Sequence, residues 1–366
     1  MFWRNWRPGG SPKSIDNAAW AIISYSGRQN GKSLEKMKKN IVLIITTLFL
    51  VSFAGESSAS WIWSPDIGKW INPKKAAKDT PEEQFTWALE FYNINNWDRA
   101  IEEFQKLPEN FPNSRLAAEG VYYTGICWQQ KGDLAKAADS FQRLVDHYPY
   151  SDRIKDAVKR EFDIANDFAS GGKVKVLGVP ALPGQEKALE LYKHIVKNAP
   201  FGTYGDQAQF RIGDLYKSQE EFEEAQKAYQ MVVDDYPSSE LISKARYQIA
   251  YCSMQASKKA QYDEKTAQRA IEQFQGFKQN FPANEQSIEA DEAIKTLRAK
   301  NAMTNLETAA FYEKQRKFKS ARVYYEAVIN QYPETPAAQE AKRRIEGVIK
   351  NDSEPATHSK PWYNLW

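Results

Sequence analysis

Cysteine and histidine are scarce. The chain of 366 residues holds 2 Cys and 3 His. That excludes a disulfide-built scaffold and a cysteine-rich zinc domain, and it leaves little for imidazole-based metal or acid–base chemistry. Cys127 and Cys252 fall on apolar helical stretches far apart and are expected as buried free thiols. A membrane-length hydrophobic run is also missing: Ile41–Ala54 spans fourteen residues, against roughly 20 for a spanning helix. No nucleophile elbow, zinc spacing or paired-carboxylate motif occurs. Gly171-Gly172-Lys173 lacks the spacing and the Ser/Thr of a phosphate loop. Glu102-Glu103, Asp234-Asp235 and Glu220–Lys227 read as solvated helix faces. His147 and His194 read as surface residues near helix C-termini, where the dipole favours them. A non-enzyme with no cofactor and no bound metal is expected.

Charge of one sign is lacking too. Residues 1–60 hold 8 of the 50 Lys and Arg and 3 of the 47 Asp and Glu, leaving 42 against 44 for residues 61–366. A near-neutral, slightly acidic body is a poor general phosphate binder, so no nucleic-acid partner is expected.

Residues 37–60 have the layout of a secretory signal peptide: Met37-Lys38-Lys39-Asn40, the apolar run, then small residues. Cleavage is expected after Ala59 or Ser60. Residues 1–36 lack periodicity and read as an upstream start called too early. Export is expected to put the mature chain in an oxidising compartment. That chain opens with a Trp-rich segment, 61–80, in which Pro65-Asp66 and Gly68 suggest a small hairpin of stacked indoles capping the fold.

What is abundant is a repeat. Phe111-Pro112, Tyr148-Pro149, Ala199-Pro200, Tyr236-Pro237, Phe281-Pro282 and Tyr332-Pro333 recur. Twelve, eight and five residues before each Pro stand a small, an aromatic and a large apolar residue: Ala100/Phe104/Leu107, Ala137/Phe141/Leu144, Ala188/Tyr192/Ile195, Ala225/Tyr229/Val232, Ala270/Phe274/Phe277 and Ala321/Tyr325/Val328. Steps of 4 and 3 place each set on one helix face, and Pro ends the helix. An apolar helix precedes each set, with Gly132-Asp133 turning one pair. The reading is an all-α solenoid of about six αα-hairpins over residues 81–350. The third first-helix, Ala157–Asp167, fits the pattern poorly. Extra residues between prolines are placed in an extended lip at 171–184, near Ser257–Lys265, and in an additional helix at Gln286–Lys300. The lip is either part of a binding face or a tolerated loop. The polar, patternless stretch beyond 350 leads to an aromatic tail, 351–366, that reads equally as a cap, a partner peptide or an interface anchor.

The pattern resembles the tetratricopeptide repeat. The joints Phe-Pro-Asn-Ser (111–114), Tyr-Pro-Tyr-Ser (148–151) and Tyr-Pro-Ser-Ser (236–239), with Trp-Asp-Arg-Ala-Ile-Glu-Glu-Phe (97–104), are similar to the BamD (ComL) family of outer-membrane assembly lipoproteins. The resemblance implies a scaffold whose partners are the barrel-forming outer-membrane assembly protein and unfolded outer-membrane clients. CpoB-like proteins of the Tol–Pal system share the joints, so a cell-wall coordinating module is the alternative. The lipidated Cys of such lipoproteins has no counterpart, since Phe53-Ala54-Gly55 is followed by Glu56. The resemblance thus implies a place in the periplasm or on the periplasmic face of the outer membrane, with membrane association expected through a partner. The repeat family lines its concave groove with positions 2, 5, 9 and 12 of the first helix. Carried over, these give Phe85, Leu89 and Tyr92, then Tyr122, Ile126 and Gln129, then Phe210, Asp214 and Lys217. The mix suits apolar or aromatic peptide segments.

Overall fold

Each Pro joint has a local cause. The residue before the Pro is driven out of helical geometry by the ring; Phe111, Tyr148 and Tyr236 have ψ between 52 and 61°. Its N–H still closes the last helical turn onto Leu107, Leu144 or Val232. The Pro then takes the second position of a β-turn, closed by the N–H of Ser114, Ser151 or Ser239 onto the carbonyl three residues back. The same Ser accepts a backbone N–H two residues on with its Oγ, which starts the next helix.

The computed structural model of the protein describes residues 62–64, 69–71, 76–176, 179–259 and 263–353. The expected start region 1–36, the signal peptide 37–60 and the tail beyond 353 lie outside these residues. The chain forms two units, divided at Ala76–Ala77. In the first, strands β1 (Ile62–Ser64) and β2 (Lys69–Ile71) pair antiparallel, with Trp63 opposite Trp70. The turn residues Pro65 to Gly68 are outside the described set.

The second unit contains α1 (Pro81–Asn93), α2 (Trp97–Asn110), α3 (Arg115–Gln130), α4 (Leu134–His147), α5 (Ile154–Ala169), α6 (Gln185–Asn198), α7 (Gly205–Ser218), α8 (Phe222–Asp235), α9 (Ile242–Lys259), α10 (Glu264–Asn280), α11 (Ser287–Lys314), α12 (Phe318–Gln331) and α13 (Pro336–Ser353). Successive pairs form six αα-hairpins, and α13 packs on the last through Ala338, Ala341 and Val348. Every member of the six small/aromatic/apolar sets is at most 1% exposed. The small residues of the first helices complete the fit. A methyl added at Gly125 or Gly213 would stand 2.6 Å from the Phe141 ring or 2.5 Å from the Tyr229 ring.

The turns within hairpins share one geometry. Asn95, Gly132, Gly171, Glu220 and Arg316 all have positive φ. The N–H of each bonds the carbonyl three residues back, and the next N–H reaches five back. This is the Schellman closure of a helix, which Gly and Asn accept most readily. At Gly171 the chain then leaves for β3 (Lys173–Val176) and β4 (Val179–Pro183), an antiparallel pair. The lip expected at 171–184 is this β-hairpin.

One expectation needs correction. No separate helix occupies Gln286–Lys300: α11 is one 28-residue helix, because neither Gly nor Pro interrupts 287–314. The excess near Ser257–Lys265 falls at the end of α9 and the start of α10, and α10 has 17 residues where the unextended second helices have 14. The thiols of Cys127 and Cys252 are buried and unpaired, and burial pushes both up to about 12.

Candidate protein-binding groove

The nine residues carried over from the repeat pattern fall into two clusters. Phe85, Leu89 and Tyr92 stand on α1, half-buried. Phe85 meets Phe104 at 5.8 Å and Tyr123 at 5.7 Å between ring centroids. Tyr92 meets Tyr123 at 5.3 Å and Trp97 at 5.4 Å, edge to face. Half of each ring is thus core to the first two hairpins, and half faces out. On α3, Tyr122 and Ile126 are buried in the main core, while Gln129 is half-buried. The Tyr122 hydroxyl donates to Asp156 of α5. Arg160 binds the same carboxylate at 2.8 Å and Gln129 at 2.9 Å. Arg153 and Arg160 lie 4.9 and 5.8 Å from the Tyr122 ring centre, a cation–π pair of contacts.

This network shifts its members. Burial raises the Tyr122 hydroxyl, and the Asp156 carboxylate adds to that. Burial alone would raise Asp156, but the hydrogen bonds from Tyr122 and Arg160 outweigh it and hold it low. The third hairpin therefore places two guanidinium groups beside the aromatic cluster. The pattern search passed over them because α5 matches the motif poorly; the readable signal was Asp156 and Arg160, four apart on one helix face.

The second cluster is in the fourth hairpin. Phe210 packs on Tyr229 at 5.1 Å. Asp214 accepts the Tyr229 hydroxyl at 2.7 Å and pairs with Arg211 at 3.2 Å. Lys217 joins Asp214 to Gln248 of α9. A cleft of about 620 Å³ between α5 and α7 is lined by Asp163, Asp167, Arg211 and Asp214, with Asn166 and Tyr192 behind. The first-helix face therefore runs from aromatic, through the Arg153–Glu119 and Arg160–Asp156 ion pairs, to a cleft lined mainly by acids.

Two charged groups read as solvated are not. Glu103 is buried and accepts from Gln84, Arg99 and Lys106, although its neighbour Glu102 is exposed as expected. His194 is 14% exposed and lies between Asp146 (3.0 Å) and fully buried Glu161 (2.8 Å). His147 is exposed, with its ring nitrogen 3.1 Å from the Arg143 carbonyl. Among the described residues no group of His, Cys, Asp and Glu is arranged to hold a metal ion, and no helix is long and apolar enough to cross a membrane.

Comparison with known proteins fits this architecture. Residues 185–351 match a family described as outer membrane lipoprotein, YfiO, and residues 85–152 match the tetratricopeptide repeat. No curated protein matches the chain. Similar solved structures include a tetratricopeptide repeat protein from Parabacteroides merdae, 13% identical, covering 74% of this chain and 98% of its own with a TM-score of 0.30. MamA from Desulfovibrio magneticus is 16% identical, covering 57% and 99%, with a TM-score of 0.29. PilW, a widely conserved type IV pilus biogenesis factor, is 12% identical, covering 73% and 100%, with a TM-score of 0.26. Both family matches lie on the stacked hairpins: the chain carries tetratricopeptide-type repeats, and its residues 185–351 are BamD-like.

Proposed function

We propose that the protein is a non-catalytic periplasmic scaffold that holds other proteins while β-barrels are assembled into the outer membrane. The observation that carries this reading is the match of residues 185–351 to an outer-membrane lipoprotein family. The first-helix face supports it. Half-exposed Phe85, Leu89 and Tyr92 suit an extended segment with aromatic side chains. Outer-membrane strands are rich in interfacial aromatics. The aromatic N-terminal hairpins are the client side, and the C-terminal hairpins, within 185–351, are the side for the barrel-forming assembly protein.

The test is a pull-down from detergent-solubilised outer membranes with the tagged chain as bait, read by mass spectrometry. The barrel-forming assembly protein should co-elute. If Tol–Pal components co-elute in its place, the scaffold serves cell-wall coordination and the assembly reading fails.

A further inference from the structure

Each first helix packs on two neighbours, and its register along the chain fixes both contacts. Eight and fifteen residues after each joint Pro stand a small residue and a larger apolar residue or Cys: Gly120/Cys127, Ala157/Ile164, Ala208/Leu215, Ala245/Cys252, Ala290/Leu297 and Ala341/Val348. All are buried. They face the preceding hairpin. Cys127 lies in the core of the first, Ala245 and Cys252 in one core with Tyr229 of the fourth, and Ala290 and Leu297 in one core with Phe274 of the fifth. The contact with the helix's own partner is made by the small residue that meets the aromatic ring. Gly125 and Gly213 do this thirteen residues after the joint Pro, so one stretch of helix serves both neighbours.

On α11 the two contacts are separated. Ala309 stands as far before its own Pro as Gly125 and Gly213 do, and it lies in one core with Tyr325, yet it comes twenty-seven residues after Pro282. The extra fourteen residues are about 21 Å of helix. The sixth hairpin is therefore displaced along α11 relative to the others. Fourteen residues on from Ala290 and Leu297 stand Thr304 and Phe311, and Phe311 is 57% exposed. The cores divide at the same place. Ala290 and Leu297 belong to one cluster, and Ala302, Leu306 and Ala309 to another with α12 and α13. On α9, by contrast, members of two cores alternate: Ala245, Ile249 and Cys252 with Tyr247 and Ala250. Polar contacts brace the step. Asn305, 7% exposed, donates to Glu264 at the start of α10 at 2.9 Å. Arg298 donates to Glu334 at 2.5 Å and to the Gln331 carbonyl at 2.7 Å, both at the sixth joint. A cleft of about 700 Å³ between α10 and that joint is lined by Glu264, Arg269, Arg298 and Tyr332.

We propose that residues 302–353, the sixth hairpin with α13, open and close as one cooperative unit, independent of the five hairpins before it. Side chains that share an apolar core lose their contacts together. Where two cores share the same turns of a helix, opening one uncovers the other. On α11 the cores follow one another, so the second opens while the first stays whole. The polar braces add little resistance, because water replaces the partners they lose. A protein seated across the step would bind the closed form alone, and the opening equilibrium would lower its apparent affinity. The inference concerns the fold and does not depend on which partner the scaffold holds.

The test is native-state hydrogen exchange of the whole chain, read by mass spectrometry. Amides of 306–314, α12 and α13 should share one protection factor, about tenfold or more below that of 290–297. The drop should thus fall inside α11, in a stretch without Gly or Pro. Asn305→Asp sets a second carboxylate against Glu264 and should speed exchange throughout α12 and α13 about tenfold, with α1 to α8 unchanged. Adding Glu264→Gln gives that carboxylate an amide donor and should recover most of the protection. Protection that falls gradually from α13 inward is the fraying of a chain end and would overturn the proposal. Equal protection in the two halves of α11, or faster exchange in the first four hairpins with Asn305→Asp, would overturn it as well.

Discussion

His194 on α6 stands between two carboxylates from two other helices: Asp146 of α4 at 3.0 Å and Glu161 of α5 at 2.8 Å. Glu161 is fully buried; its Oε1 accepts from Gln142 and stands against His194 Nδ1 as a close charge contact, and its Oε2 has no hydrogen-bond partner. The contact has a simpler equivalent in neighbouring hairpins. Gln84 of α1 donates to the Glu103 carbonyl at 2.8 Å, and Gln209 of α7 to the Ala228 carbonyl at 2.9 Å. At this position a first helix is stapled to its second helix by an amide. The third hairpin uses an acid and an imidazole instead.

That substitution makes stability depend on pH. Burial alone would lower His194, but its bonds to Glu161 and Asp146 outweigh this and raise it. Glu161 is raised too, mainly by burial. Both raised values mean that the folded chain holds protons the unfolded chain has released. The His194 contribution is complete below its unfolded value, about 6.5, and fades as pH rises through the folded one. Denaturant titration should therefore show stability declining above about pH 6.5, with a flatter profile in His194→Gln. His194→Ala should cost about 3 kcal/mol by leaving a buried charge unpaired. Glu161→Gln, which restores the amide of the first and fourth hairpins, should cost less than about 1 kcal/mol. An equal loss from both variants would count against the staple.

Ala225 is fully buried against Tyr229 and the core of the fourth and fifth hairpins. Ala225→Trp should destabilise by about 3 kcal/mol or more, since overpacking a filled core forces rotamers and backbone to move. The melting temperature reads this directly, and an unchanged value would place the side chain in solvent.

The hairpins were legible because their determinants are local and periodic. A small residue, an aromatic and a large apolar residue at steps of 4 and 3, followed by Pro, specify a buried face and its end without reference to anything distant. The polar staples were not legible. Glu103 and Glu102 are adjacent acids in the sequence, yet one is buried under Gln84 and the other is solvated. Which of them turns inward is set by a helix 19 residues away. His194 and Asp146 are separated by 48 residues, with the β-hairpin between. The groove lies between these cases. Counting along the repeat located the half-exposed rings of Phe85 and Tyr92, but burial of Tyr122 and Ile126 depends on how closely α5 approaches α3, which no single-helix pattern encodes.

Arg316 carries φ of 60° at the turn between α11 and α12, where two other hairpins have Gly. Its side chain is exposed. A left-handed non-Gly residue costs about 1–2 kcal/mol, partly offset by the greater freedom of Gly in the unfolded chain. Arg316→Gly should therefore stabilise by about 0.5–1 kcal/mol, seen as a higher denaturation midpoint with an unchanged slope. Arg316→Val should destabilise, because a β-branched side chain fits this backbone worst.

The groove proposal is tested most cleanly without disturbing the Tyr122 network. Truncating Tyr122 would strip Asp156 of one of its hydrogen bonds and open the core, so lost binding there would be ambiguous. Phe85→Leu with Tyr92→Leu is better placed. Both rings are half-exposed on α1, and leucine keeps apolar volume while removing the aromatic faces. Helicity should be retained, since the six buried sets are untouched, and circular dichroism checks this. Affinity for an aromatic-rich C-terminal peptide of an outer-membrane barrel should fall by about 2 kcal/mol or more, the size of a binding hot spot. Glu102→Ala, exposed on the second helix of the same hairpin, should leave binding unchanged. If the leucine variant binds as tightly as wild type with its helicity intact, the client surface is not the α1–α3 aromatic cluster, and the acidic cleft between α5 and α7 becomes the place to look.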